Sequence, residues 1–82
     1  MLNEQSVLQR LTVVFINVFG DKKIVITRNT VADDIDDWDS LEHINLISAV
    51  EREFGMKFKM KEVSTMKNVG EMIDLICERA TK

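Results

Sequence analysis

Eleven consecutive residues, DDIDDWDSLEH from Asp33 to His43, hold five aspartates, a glutamate, a serine, the chain's one tryptophan and its one histidine. Three chemistries could use such a set: cation binding, nucleophilic catalysis, or covalent modification of the serine. An EF-hand loop requires oxygen ligands at its first, third and fifth positions, glycine at the sixth and glutamate at the twelfth. Counted from Asp34, the fifth position is Trp38 and the sixth Asp39; counted from Asp33, the third is Ile35. Neither register fits, and no specific metal site is expected. His43 follows Ser40 by three residues, a spacing that places both on one side of a helix. No GxSxG elbow surrounds the serine, however, and 82 residues leave little material for a deep substrate cleft. The expectation is a protein that is not an enzyme, with His43 a solvated helix residue near a partner surface.

These residues must be positioned by the helix that follows them. Leu41, Ile44, Ile47, Val50 and Phe54 recur at helical spacing, with Leu46 beside them, and predict a helix over 40–54. Asp39 is its expected N-cap, and Glu42 three residues on completes a capping-box pattern. Gly55 is the expected left-handed stop. With Asp39 capping, Ser40 occupies the first helical position with its hydroxyl free. Val7, Leu8, Leu11, Val14, Phe15 and Val18 predict an earlier helix over 4–19, capped near Asn3 and ended by Gly20 and Asp21. Asn68 and Glu71 open a last helix with Val69, Met72, Ile73, Ile76 and Ala80 on its apolar face.

Between the first two helices, KIVIT is β-branched, but no second convincing strand exists to pair with it. Residues 20–38 therefore read as a long ordered loop anchored by Val31, Ile35 and Trp38. MKFKMK alternates apolar and basic residues and reads as a short extended segment, with a turn or two of helix in MKEVS. The fold class is all-α: a four-helix bundle of three main helices and one short one, with a long first loop.

Composition sets further bounds. The length suits a single domain over 1–82. One cysteine, Cys77, permits no internal disulfide and reads as a semi-buried helix residue. No signal-peptide pattern and no run of apolar residues long enough to span a bilayer is present, so a cytoplasmic protein without stable membrane insertion is expected. The net charge of −3 conceals a segregation. Residues 33–53 carry eight acids against one base, net −7, while the flanking segments are each +2. Such a field disfavours nucleic acid and steers toward basic protein surfaces.

At Asp39-Ser40-Leu41 the chain resembles the acyl carrier proteins. WDSLEHINLISAVEREFGMKF is similar to that family's second helix, from the modified serine to the E-x-E-F-G ending, and NVGEMIDLI to its last. The match covers essentially the whole chain. It implies that Ser40 is esterified to 4′-phosphopantetheine by a phosphopantetheinyl transferase using coenzyme A and magnesium, with Asp39 and Leu41 framing the attachment site. It implies a monomeric carrier of acyl thioesters in fatty-acid, lipid or specialised acyl biosynthesis, serving acyl-loading, acyl-transfer and condensing enzymes. Candidate partner contacts are Asp36, Asp37, Glu42, His43, Asn45, Glu51 and Arg52. Candidate acyl-pocket residues are Leu46, Ile47, Ala49, Ile73 and Ile76. Trp38 departs from the glycine- or alanine-type residue usual in bulk fatty-acid carriers and resembles a specialised member. The alternatives are an aminoacyl or peptidyl carrier and an unmodified helical interaction module.

Overall fold

A computed structural model of the chain describes residues 3–82. Four helices carry the fold: α1 (Glu4–Phe19), α2 (Ser40–Phe54), α3 (Met60–Thr65) and α4 (Val69–Arg79). A 3₁₀ turn, Ala32–Asp34, interrupts the long segment between α1 and α2. Among the described residues there is no strand.

Each main helix starts where its side chains dictate. The side-chain oxygens of Asn3, Asp39 and Asn68 accept hydrogen bonds from the N–H groups of Ser6, Glu42 and Glu71. α2 ends at Gly55, whose φ of +60° lies in the left-handed region that favours glycine. A Cβ there would also come within 2.5 Å of Thr81 Oγ1. The reciprocal half of the expected capping box is absent at α2. The Asp39 N–H donates to the Asp37 carbonyl, and the Glu42 carboxylate accepts instead from Asn45 Nδ2.

α1 packs on both α2 and α4. Val7, Leu11 and Phe15 meet Leu46, Val50, Phe54, Val69, Met72 and Ile76 in a core where all nine side chains are fully buried. The expected stripe on α2 is rotated in the structure: Leu41 and Ile44 are exposed. Successive residues turn about 100° around a helix, and the buried arc centred on Leu46, Ile47, Val50 and Phe54 leaves Leu41 almost opposite. His43 takes the place in the first turn that the stripe assigned to an aliphatic residue.

The first loop is held from two sides. Ile24 and Ile26 are buried and Val25 is out, so the alternation of KIVIT is real although it pairs with no strand. These two isoleucines are the deepest apolar anchors; of the expected ones, Ile35 and Trp38 pack partly buried against the core, while Val31 does not join it. The N–H groups of Val69 and Gly70 donate to the carbonyls of Thr30 and Arg28, joining the loop to the start of α4. Arg28 then pairs with Asp74 and with Glu4. Cys77, expected to be half-buried, is exposed.

α3 is tied to α4 by Glu62 and Arg79, with Oε1–Nη1 at 2.6 Å and Oε2–Nη2 at 2.5 Å. The Arg79 guanidinium first, and then the Lys59 N–H, hold the Glu62 carboxyl at about 2, against an ordinary 4.5. The folded chain therefore releases this proton more readily than the unfolded chain. The stabilisation is complete above pH 4.5 and is lost as pH falls from there through about 2. Partial exposure of both side chains limits its size. In urea titrations the gap in midpoint between the parent chain and Glu62→Gln should be widest near neutral pH and close by the acid end of that window. A gap independent of pH would show that the carboxylate's charge is not what Arg79 reads.

Candidate functional site

Ser40 is exposed at the first position of α2. Asp39, in extended conformation, supplies the cap through Oδ1, 2.8 Å from the Glu42 N–H. Its carbonyl accepts the first helical bond, from the His43 N–H at 2.9 Å. Of the N–H groups that a helix start leaves without intrahelical partners, Asp39 and Glu42 thus have theirs, while those of Ser40 and Leu41 lie next to the serine hydroxyl. Both the dipole and these donors favour an anion at this point.

Beside Ser40 runs a cleft of about 430 Å³. It is lined by Ala32 and Trp38 from the first loop, by Asp39, Ser40 and His43, by Val63 and Ser64 of α3, and by Met66, Lys67 and Asn68 ahead of α4. Trp38 is half-buried and packs edge-on against Phe15, with ring centroids 5.2 Å apart at 84°. Its indole N–H donates to His43 Nδ1 at 3.0 Å, and His43 Nε2 lies 3.1 Å from the Val63 carbonyl. His43 is therefore half-buried and bonded at both nitrogens, not solvated as its place beside polar residues suggested. A histidine three residues after an exposed serine gave no sign of this; the signal was its place in the middle of the buried arc of α2.

The remaining candidate residues divide by position. Asp36, Asp37 and Asn45 are exposed near the start of α2, and Glu42 is half-exposed. Glu51 turns inward to accept from the Phe58 N–H at 2.9 Å and fixes the chain after α2. Arg52 lies along a different groove, with Val14, Asn17, Val18, Ala49, Glu53 and Lys82. Leu46, Ile47, Ile73 and Ile76 are buried in the core, and none of the five pocket candidates lines the cleft at Ser40. Sequence reasoning missed Val63, Ser64, Met66 and Lys67 as neighbours of Ser40, because proximity across 20 or more residues leaves no local pattern.

No protein-family description matches this chain, and no curated protein does. A solved structure does: the solution NMR structure of a holo acyl carrier protein from Geobacter metallireducens, 46% identical. The alignment covers 89% of this chain and 84% of that one, with a TM-score of 0.83. The chain belongs to the acyl carrier protein family. Among the described residues no helix is long and apolar enough to cross a membrane.

Proposed function

We propose that the whole chain is one carrier domain and that Ser40 is its point of attachment for 4′-phosphopantetheine. The observation that carries this reading is the exposed Ser40 at the head of α2, capped by its neighbour, in a chain 46% identical to a holo acyl carrier protein. The site fits the group. A phosphodiester on Ser40 would meet the Ser40 and Leu41 N–H groups, and the arm would leave along a cleft with both apolar and polar lining. The bound arm supplies a terminal thiol that holds an acyl group as a thioester. This chain's residues present and orient that arm and do not transform its cargo, so the protein is a carrier and not an enzyme.

The partners in this reading are a phosphopantetheinyl transferase and, after it, acyl-loading, acyl-transfer and condensing enzymes of fatty-acid, lipid or specialised acyl biosynthesis. Asp36, Asp37, Glu42 and Asn45 flank exposed Leu41 and Ile44. An acidic rim around a small apolar centre suits fast, reversible docking on basic surfaces. His43 and Glu51 act from inside the fold in this reading, and Arg52 lies aside from the docking face. Leu46, Ile47, Ala49, Ile73 and Ile76 would receive an acyl chain only if the core parted, which makes the open cleft the first place a cargo meets. We place the carrier in the cytoplasm as a monomer.

Uptake of one phosphopantetheine from coenzyme A is the direct test. Asp39 offers a second. Asp39→Ala removes the cap and should cost about 1 kcal/mol. Asp39→Asn keeps a capping oxygen but removes the charge beside the transferase's magnesium. It should stay near parental stability and load about tenfold more slowly, the scale of a lost outer contact to a metal. Equal loading of Asp39→Asn and the parent would confine Asp39 to capping.

A further inference from the structure

Two ring nitrogens and their partners fix the protonation of His43. An indole N–H can only donate, so His43 Nδ1, 3.0 Å from Trp38 Nε1, must accept. A carbonyl oxygen can only accept, so Nε2, 3.1 Å from the Val63 oxygen, must carry the proton. Both bonds together require the neutral ring in one tautomer, and each reaches a different part of the cleft wall. The Trp38 bond holds the end of the first loop, where the indole is backed by Phe15 and Phe19 and lies nearly parallel to the imidazole. The Val63 bond holds α3, a helix of six residues whose other side-chain tie is Glu62 to Arg79 on α4. The end of the first loop and α3 therefore meet at one side chain. A proton added to Nδ1 would set an N–H against the indole N–H, and that bond would be lost.

We propose that His43 is a positioning residue: through Trp38 and Val63 it latches α3 and the end of the first loop onto the start of α2, holding the shape of the cleft beside Ser40, and protonation of its ring releases the Trp38 side of the latch. The charged groups sharing the cleft with the ring are Asp39 from the start of α2 and Lys67 from the segment before α4. The first loop contributes uncharged Ala32 and Trp38, α3 contributes Val63 and Ser64, and α1 contributes the phenyl rings behind the indole. The imidazole is the group among these whose charge ordinarily changes between pH 5 and 8. What the latch means for a cargo rests on Ser40 carrying the arm. The latch itself is tested on the unmodified chain, so failure of one reading leaves the other standing.

The chain's one tryptophan and one histidine make the test direct. Imidazole nitrogen NMR on the parent chain should show a protonated Nε2 and a bare Nδ1. In an acid titration the Trp38 indole N–H resonance and fluorescence should move with the same midpoint as the His43 ring. Among variants, His43→Asn places an acceptor near Nδ1 and should keep the indole signal while loosening α3. His43→Gln places a donor near Nε2 and should do the reverse. His43→Leu should lose both, with α3 amides exchanging about threefold to tenfold faster, the factor one hydrogen bond is worth. A proton found on Nδ1, or an indole that stays unchanged while His43 titrates, overturns the proposal. So does a folded His43→Leu with parental α3 exchange. Should His43→Leu fail to fold, the tautomer and the parent titration decide alone.

Discussion

Incubated with coenzyme A, magnesium and a broad-specificity phosphopantetheinyl transferase, the parent chain should gain the mass of one phosphopantetheine, and Ser40→Ala should gain none. The size of this effect is all or nothing because the bond forms at the hydroxyl that the variant lacks. Its clarity depends on the variant folding. Ser40 is exposed, and Asp39 rather than Ser40 accepts from the Glu42 N–H, so the cap survives the change. Alanine is also the better helix former by a few tenths of a kcal/mol. The two chains should therefore unfold within about 0.5 kcal/mol of one another. Ser64 lines the same cleft and is likewise exposed. Ser64→Ala should load like the parent. Loading that persists in Ser40→Ala but vanishes in Ser64→Ala would move the attachment to α3. A well-folded parent that starts unmodified and takes up nothing from several transferases would defeat the carrier reading and favour an unmodified interaction module.

The site and the fold differed in how far they could be read from residue order. Helix boundaries were legible because capping is local: Asn3, Asp39, Asn68, Gly20 and Gly55 each act within a few residues of themselves. Ser40's exposure followed from the same local rule. The rotation of α2 was not legible. Leu41 and Ile44 fit a helical period as well as Leu46 does, and periodicity alone cannot say which of two adjoining arcs meets the neighbours. That is decided by the packing of α2 on α1, with Leu46 fully buried and Leu41 left 69% exposed. His43 was misplaced for the same reason. Its partners, Trp38 and the Val63 carbonyl, belong to a loop and to a short helix. The acidic run was legible as charge but not as separate tasks. Asp34 Oδ2 accepts from the Val31 N–H in the 3₁₀ turn, Asp39 caps α2, and Asp36 and Asp37 stay exposed.

Phe15→Ala should remove a large share of the chain's stability. The side chain is fully buried on α1, the helix that packs on both α2 and α4. It meets Trp38 edge-on at 5.2 Å and Phe19 at 5.8 Å. Truncating a buried phenylalanine costs about 3–5 kcal/mol, from lost burial and from the cavity left behind. A domain of this size has about 4–12 kcal/mol in all. The urea midpoint, followed by Trp38 fluorescence, should fall well below the parental value. Phe19→Ala is the internal comparison. It removes the same ring from the same aromatic cluster, but from a partly buried position, so its loss should be clearly smaller. Equal losses would mean that the aromatic cluster, rather than burial between the helices, gives Phe15 its weight. The consequence for the site differs as well. Phe15 backs the indole that lines the cleft, so any Phe15→Ala that remains folded should show Trp38 more accessible to a neutral quencher while Ser40 stays open to modification. Ser40 is held by its own helix start, and the cleft beside it is held by the core; damage to the second should change what the carrier shelters before it changes whether the carrier is loaded.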